Sequence, residues 1–326
     1  MIKFTQLLLP ICFAFLLFGC DDASNNRSEA ELVTSLKQLN TLLYASQSES
    51  NDLLWPMSDS YLTQRDSLFK QLLRASEKPR PEAQLLAIEQ RFTERFFPWP
   101  YNANPVLNYL QSASQVEDAD VADFIVFSQQ KMSNAYQDKV RLSRFELNAL
   151  LRQLANAEQQ LEPFPAAKAA LAEFESYLKD YSPRRSPGIG ALPNGKDWYQ
   201  ARLNYFTNAA QKPADVLNRL LIIKQSVNSE QQFLICFTSA KCANNSGLDW
   251  RTKYSDRRAE FAAVPFGKEQ AVIAEVDFGI HAQAWSSEHA LTVLTKQLGI
   301  DEERANRVLE TILQEPALAM VNIPLG

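Results

Sequence analysis

Chemistry at neutral pH runs mostly through histidine, cysteine and acidic side chains, and this chain is sparing with the first two. It has two histidines, His281 and His289, and four cysteines, Cys12, Cys20, Cys236 and Cys242. Asp277 precedes His281 by four residues, so on a helix the two share a face and can hydrogen-bond. A carboxylate behind an imidazole orients a general base; it also satisfies any buried histidine. No nucleophile stands at a telling distance, and no Gly-x-Ser-x-Gly elbow is present. No catalytic residue is therefore assigned, and His281 is read as structural or pocket-lining. With Asp277 and Trp285 it makes the candidate pocket. His289, beside Glu288 at the start of a predicted helix, reads as a surface residue.

A zinc site asks for about three protein ligands and a water, with a carboxylate to take the water's proton. Two histidines cannot write His-Glu-x-x-His, and Leu221 to Glu275 contains none. No metal and no cofactor are expected. Cys236 and Cys242 are spaced more widely than Cys-x-x-Cys and have no histidine nearby, so they read as a disulfide in an exported protein. Closing that loop would contribute roughly 2 kcal/mol.

Export follows from the N-terminus. Lys3 is followed by the uncharged apolar run Leu7 to Phe18, too short to span a bilayer as a stable helix, and then by Gly19-Cys20. Leu17-Phe18-Gly19-Cys20 resembles a bacterial lipoprotein box, which implies cleavage before Cys20 and acylation of its thiol, palmitate included. Residues 1–19 are then a signal peptide and 20–28 a polar, lipidated tether. Each buried methylene adds about 0.8 kcal/mol to membrane binding, so several chains hold the body at a membrane. Asp21-Asp22 resembles an inner-membrane retention signal. The expected location is the cell envelope, facing the periplasm, with the inner membrane favoured over the outer.

The 326 residues are 46% hydrophobic and carry a net charge of −5, enough apolar content for one large domain or two modest ones. No long basic run points to nucleic acid. Arg251 to Arg258 reads as a solvated helix face.

The elements that must position these residues are helices. Ser28 and Glu31 form a capping box ahead of Leu32, Leu36, Leu39 and Leu43. Further helices are predicted over 61–75, from Pro81 through Phe96, and from Pro105. Asp118 to Leu161 has no glycine or proline and carries one apolar stripe, predicting one long helix or two with a small kink. Pro165 opens another, through Leu178. Ser182 to Gly195 packs three prolines and three glycines into fourteen residues and is either a linker or an ordered loop at a cleft. Helices follow over 198–209, from Pro213 through Val227, and from before Val272 towards Trp285, with the helical pattern lapsing from Cys236 to Asp249. Ser286 and Asp301 cap the last two. No segment alternates as a strand. The fold class is all-α, with a helical region over 29–181, the Gly/Pro-rich segment at 182–195, and a second helical region over 196–326.

Gly190-Ala191-Leu192-Pro193-Asn194-Gly195-Lys196-Asp197-Trp198-Tyr199, with Asn204-Tyr205-Phe206-Thr207, resembles a stretch of the bacterial domain-of-unknown-function family eight-eight-five. Val276-Asp277-Phe278-Gly279-Ile280-His281 and Trp285-Ser286 resemble that family's Val-Asp-Thr-Gly-Ile-His segment and the Trp that follows it. The likeness continues through Ala290, Leu294, Gly299 and the Glu310–Pro316 region. It implies a helical zinc-peptidase fold, whose metal-binding His-Glu and Gly-His pairs lie between the two segments. Here that interval is shortened and holds no histidine. Where relatives continue Pro-Gly-Gln-Ala-Leu into a Tyr-Lys pair, this chain reads Pro316-Ala317-Leu318-Ala319-Met320-Val321-Asn322. The resemblance therefore implies a retained fold without metal chemistry, a binder of a peptide or protein partner or a scaffold. The alternative is a hydrolase, peptidase or esterase, with a repurposed site around Asp277 and His281.

Overall fold

The computed structural model describes residues 27–41, 59–75, 81, 84, 85, 117–238, 261 and 263–324. The leader, Cys20, Asp21-Asp22, Leu43, the helices predicted around Phe92 and Pro105, and the basic run at 251–258 lie outside them.

Among the described residues there are eleven α-helices and no strand; a lone parallel bridge joins Ser143 and Arg184. The all-α expectation holds. No helix among them is long and apolar enough to cross a membrane.

α1 (Glu29–Thr41) starts where the sequence places it: the Glu31 carboxylate accepts from the Ser28 N–H at 2.7 Å, and Ser28 Oγ accepts from the Glu31 N–H. Its Leu32 and Leu36 pack with Phe69 and Leu72 of α2 (Asp59–Arg74).

The stretch from 118 to 161 forms two helices, α3 (Asp118–Gln137) and α4 (Arg144–Gln160). The chain reverses between them with Lys139 in the left-handed region at φ 67°. What stops a continuous helix is a second capping box. Ser143 Oγ accepts from the Glu146 N–H while the Glu146 carboxylate accepts from the Ser143 N–H at 2.6 Å, offering the backbone a start it cannot have mid-helix. α5 (Pro165–Lys179) carries proline at its first position, where no intrahelical N–H is needed. Its next two N–H groups donate to the Asp118 carboxylate at 2.9 and 2.8 Å, a negative charge at the positive end of the helix. Apolar residues of α3, α4 and α5 bury one another in a group running from Leu39 to Tyr181.

The 182–188 segment is ordered around one side chain. The Arg184 guanidinium donates to the carbonyls of Arg141, Ser186, Pro187 and Gly188 and pairs with the buried Glu146 carboxylate at 3.1 Å. A planar five-donor fork suits such a task. A 3-10 turn (Ile189–Ala191) leads into α6 (Gly195–Thr207), then α7 (Pro213–Ile223) and α8 (Gln231–Thr238).

α7 ends four residues short of Val227, and α8 continues helically through Cys236, where the sequence pattern had suggested a lapse. The expected Cys236–Cys242 disulfide is not supported: Cys236 is half-buried on α8, and Cys242 lies outside the described residues.

α9 (Lys268–Ala282) is the axis of the C-terminal part. It buries residues on every side, from Glu269 to His281, as a helix enclosed by other helices must. α10 (Ser287–Leu298) and α11 (Glu302–Gln314) begin at the predicted caps Ser286 and Asp301, and Gly299 at φ 63° ends α10. These helices, with α6 to α8 and the buried tail Ala317–Val321, form a second apolar group reaching Ile323.

Candidate functional site

Gln270, Asp277 and His281, spaced by seven and four, lie on one stripe of α9. All three are essentially solvent-excluded, so each polar atom must find a partner or bear the cost of burial. The partners are mostly backbone. The Gln270 amide donates to the carbonyls of Ala319 and Val321 at 3.0 and 2.5 Å. Asp277 Oδ2 accepts from the Ala317 N–H at 2.8 Å, and Oδ1 accepts from the Tyr199 hydroxyl at 2.7 Å. The Ile189 N–H donates to His281 Nδ1 at 3.0 Å. Nδ1 thus carries no proton, and the protonated Nε2 faces the Ile312 carbonyl at 3.0 Å, one of the carbonyls that the end of α11 leaves without an intrahelical partner.

The Asp277–His281 hydrogen bond that their shared face allows is not made in this arrangement. The two do share a helix face, but each ring nitrogen has its one in-plane position taken by main chain. Together the stripe stitches α9 to the Ile189 turn on one side and to the tail after α11 on the other.

The two quoted segments do meet. A Cβ at Gly188 would come within 1.9 Å of the Ile280 carbonyl oxygen, and one at Gly190 within 2.1 Å of that of His281. Only glycine lets this loop lie directly on the backbone of α9. Tyr199, from α6, stacks on the His281 ring with centroids 5.4 Å apart.

Arg202, one turn further along α6 and fully buried, donates to the Pro316 carbonyl and pairs with Glu315 at 3.3 Å. Burial pushes the Asp277 carboxyl up to about 7; hydrogen bonds from Tyr199 and Ala317 and the Arg202 charge offset only part of this. Burial, the Asp277 charge and its hydrogen bond hold the Tyr199 hydroxyl well above its ordinary range.

Trp285 packs elsewhere. Its ring occupies the space over Gly279, where a Cβ would lie 2.2 Å away, and meets His289 edge-on at 4.4 Å. His289 is exposed, as expected.

A cavity of about 380 Å³ opens beside the stripe, lined by Lys196, Tyr199, Pro213, Leu217, Phe278 and His281. Of the three candidate pocket residues only His281 lines it; Asp277 and Trp285 do not. Among the described residues no group of three His, Cys, Asp or Glu side chains converges as metal ligands would. Sequence reasoning missed Gln270 and Arg202. The seven-residue spacing of Gln270 and Asp277 on one stripe of the helix is the available signal for the first; nothing local marks the second.

No family model matches the chain, and no curated protein matches it by sequence. The resemblance to family eight-eight-five therefore rests on the quoted segments alone. Among solved structures, a protein from Colwellia psychrerythraea provisionally designated a lipoprotein superposes with a TM-score of 0.50. The match covers 90% of this chain and 91% of that one at 12% identity. At that identity the likeness is one of fold.

Proposed function

We propose that this is a lipid-anchored cell-envelope protein whose helical body, the regions 29–181 and 196–326 joined through 182–195, acts by binding and not by catalysis. One observation carries the reading: the polar ends of Asp277 and His281 are already bonded to Tyr199 and to backbone groups. A histidine engaged through both nitrogens has no lone pair to offer a zinc ion or a nucleophile's proton. The residues that resemble a peptidase motif here build the fold.

What remains available is the cavity beside them. Phe278, Pro213, Leu217 and the Tyr199 ring give it apolar walls, and exposed Lys196 adds a positive charge at its lining. That chemistry suits an apolar side chain of a peptide or partner protein with a carboxylate nearby. The lipoprotein-like Leu17–Cys20 box places the acyl chains on Cys20 and the body in the periplasm, with Asp21-Asp22 favouring the inner membrane. The fold likeness to a protein designated a lipoprotein supports the anchored reading.

The test is hydrolysis of peptide and ester substrates by the full chain in neutral detergent, with elemental analysis after dialysis. The expected results are no turnover above background and no stoichiometric zinc. Turnover that disappears in His281→Ala while circular dichroism shows the helices intact would overturn the reading, as would zinc retained at one equivalent.

A further inference from the structure

A second cavity lies between the two helical regions, away from α9. It has a volume of about 390 Å³ and is bounded by the start of α4, the 183–185 segment, the start of α10 and one face of α11. Three arginines line it. Arg184 is neutralised by Glu146 and saturated by carbonyls. Arg144 and Arg185 are exposed, and among the described residues neither has an ion pair or hydrogen bond. Asn148 adds an amide, Ser287 a hydroxyl, and Asn306 a further polar side chain. Glu288 is the one carboxylate in the lining, so two uncommitted cations face one anion.

The backbone reinforces that balance. α4 and α10 both begin at this cleft, behind Ser143 and Ser286, and helix starts carry partial positive charge.

We propose that this cleft binds a phosphate group, held by Arg144 and Arg185. A guanidinium fork fits two phosphate oxygens at once, and two such forks exceed what a single carboxylate needs. The phosphate can belong to a lipid headgroup at the membrane surface or to a small soluble phosphate. The lipid source rests on the anchored reading above; the soluble source does not. Because the cleft joins α4 to α10, an occupant would also tie the two helical regions together.

The experiment is isothermal titration of the full chain in neutral detergent at low salt. The probes are inorganic phosphate and a short-chain, monomeric phosphatidylglycerol. Binding of either probe tighter than about 1 mM is expected. Phosphate binding identifies a soluble-phosphate site, and binding of the lipid alone identifies a headgroup site. Arg144→Gln with Arg185→Gln should weaken the bound probe by on the order of a hundredfold without moving the melting temperature, and Glu288→Gln should strengthen it. Raising the salt should weaken binding. If neither probe binds tighter than about 1 mM, or if the double variant binds as well as the parent, the proposal fails. None of these outcomes depends on hydrolysis or zinc, so they are read separately from the test of the binding function.

Discussion

Asp277→Asn should remove a pH dependence of stability that the wild-type chain carries between about pH 4 and pH 7. Asparagine keeps the shape and both contacts: its carbonyl can accept from the Ala317 N–H and its amide can donate to the Tyr199 oxygen. What changes is the charge. The Asp277 carboxyl moves from an ordinary value of 3.8 to about 7, first because of burial, so the folded state holds a proton that the unfolded state releases. A raised carboxyl contributes stability that is fully present below about pH 3.8 and is lost as pH rises through about 7. At about 1.4 kcal/mol for each tenfold change in proton affinity, the whole excursion is on the order of 4 kcal/mol.

The assay is urea denaturation of both chains at half-unit steps from pH 4 to pH 8. The wild-type free energy should fall relative to Asp277→Asn across that window and then run parallel above it. Subtracting the two curves cancels the other carboxylates, which both chains share. A difference that stays flat, or that rises with pH, would refute the reasoning. It would mean that Tyr199, Ala317 and the Arg202 charge hold the carboxylate ionised despite its burial.

Other perturbations test the stitching directly. Gly279→Ala puts a methyl group 2.2 Å from the Trp285 ring; displacement of the indole should shift tryptophan fluorescence and cost about 1–3 kcal/mol in denaturation experiments. Ala317 sits at φ 66°, strained for a residue with a Cβ. Ala317→Gly should therefore stabilise the fold by up to about 1 kcal/mol, seen as a higher melting temperature.

The contrast between Ala317 and the glycines shows how far local reading carries. Gly299 ends its helix as its residue type predicts, because a left-handed C-cap is a property of a few consecutive residues. Ser28, Pro165, Ser286 and Asp301 were legible for the same reason: a cap is made within one turn of chain. Lys139 adopts the same conformation without glycine, through local bonds at the end of α3, its own N–H reaching the Tyr136 carbonyl and that of Val140 the Ala135 carbonyl; Ala317 adopts it where the distant Asp277 carboxylate takes its N–H. The break at 138–143 was half visible. The apolar stripe runs through it, while Ser143 and Glu146 announce a new start, and Arg184, 38 residues from Glu146, holds that carboxylate in place.

The same division holds at the candidate site. Sequence by itself determined that the body is helical, that Asp277 and His281 share a face, and that too few imidazoles exist to build the zinc site of the resembling family. The tertiary structure alone decided what the shared face touches. Ile189 and Ile312 lie 92 and 31 positions from His281, and no periodicity within α9 encodes which main-chain groups will arrive at its surface. A buried polar atom takes the partner that the packing of other helices delivers. Here the partners are main-chain groups and the Tyr199 hydroxyl, and through them the pair joins α9 to the Ile189 turn, to α6 and to the end of α11.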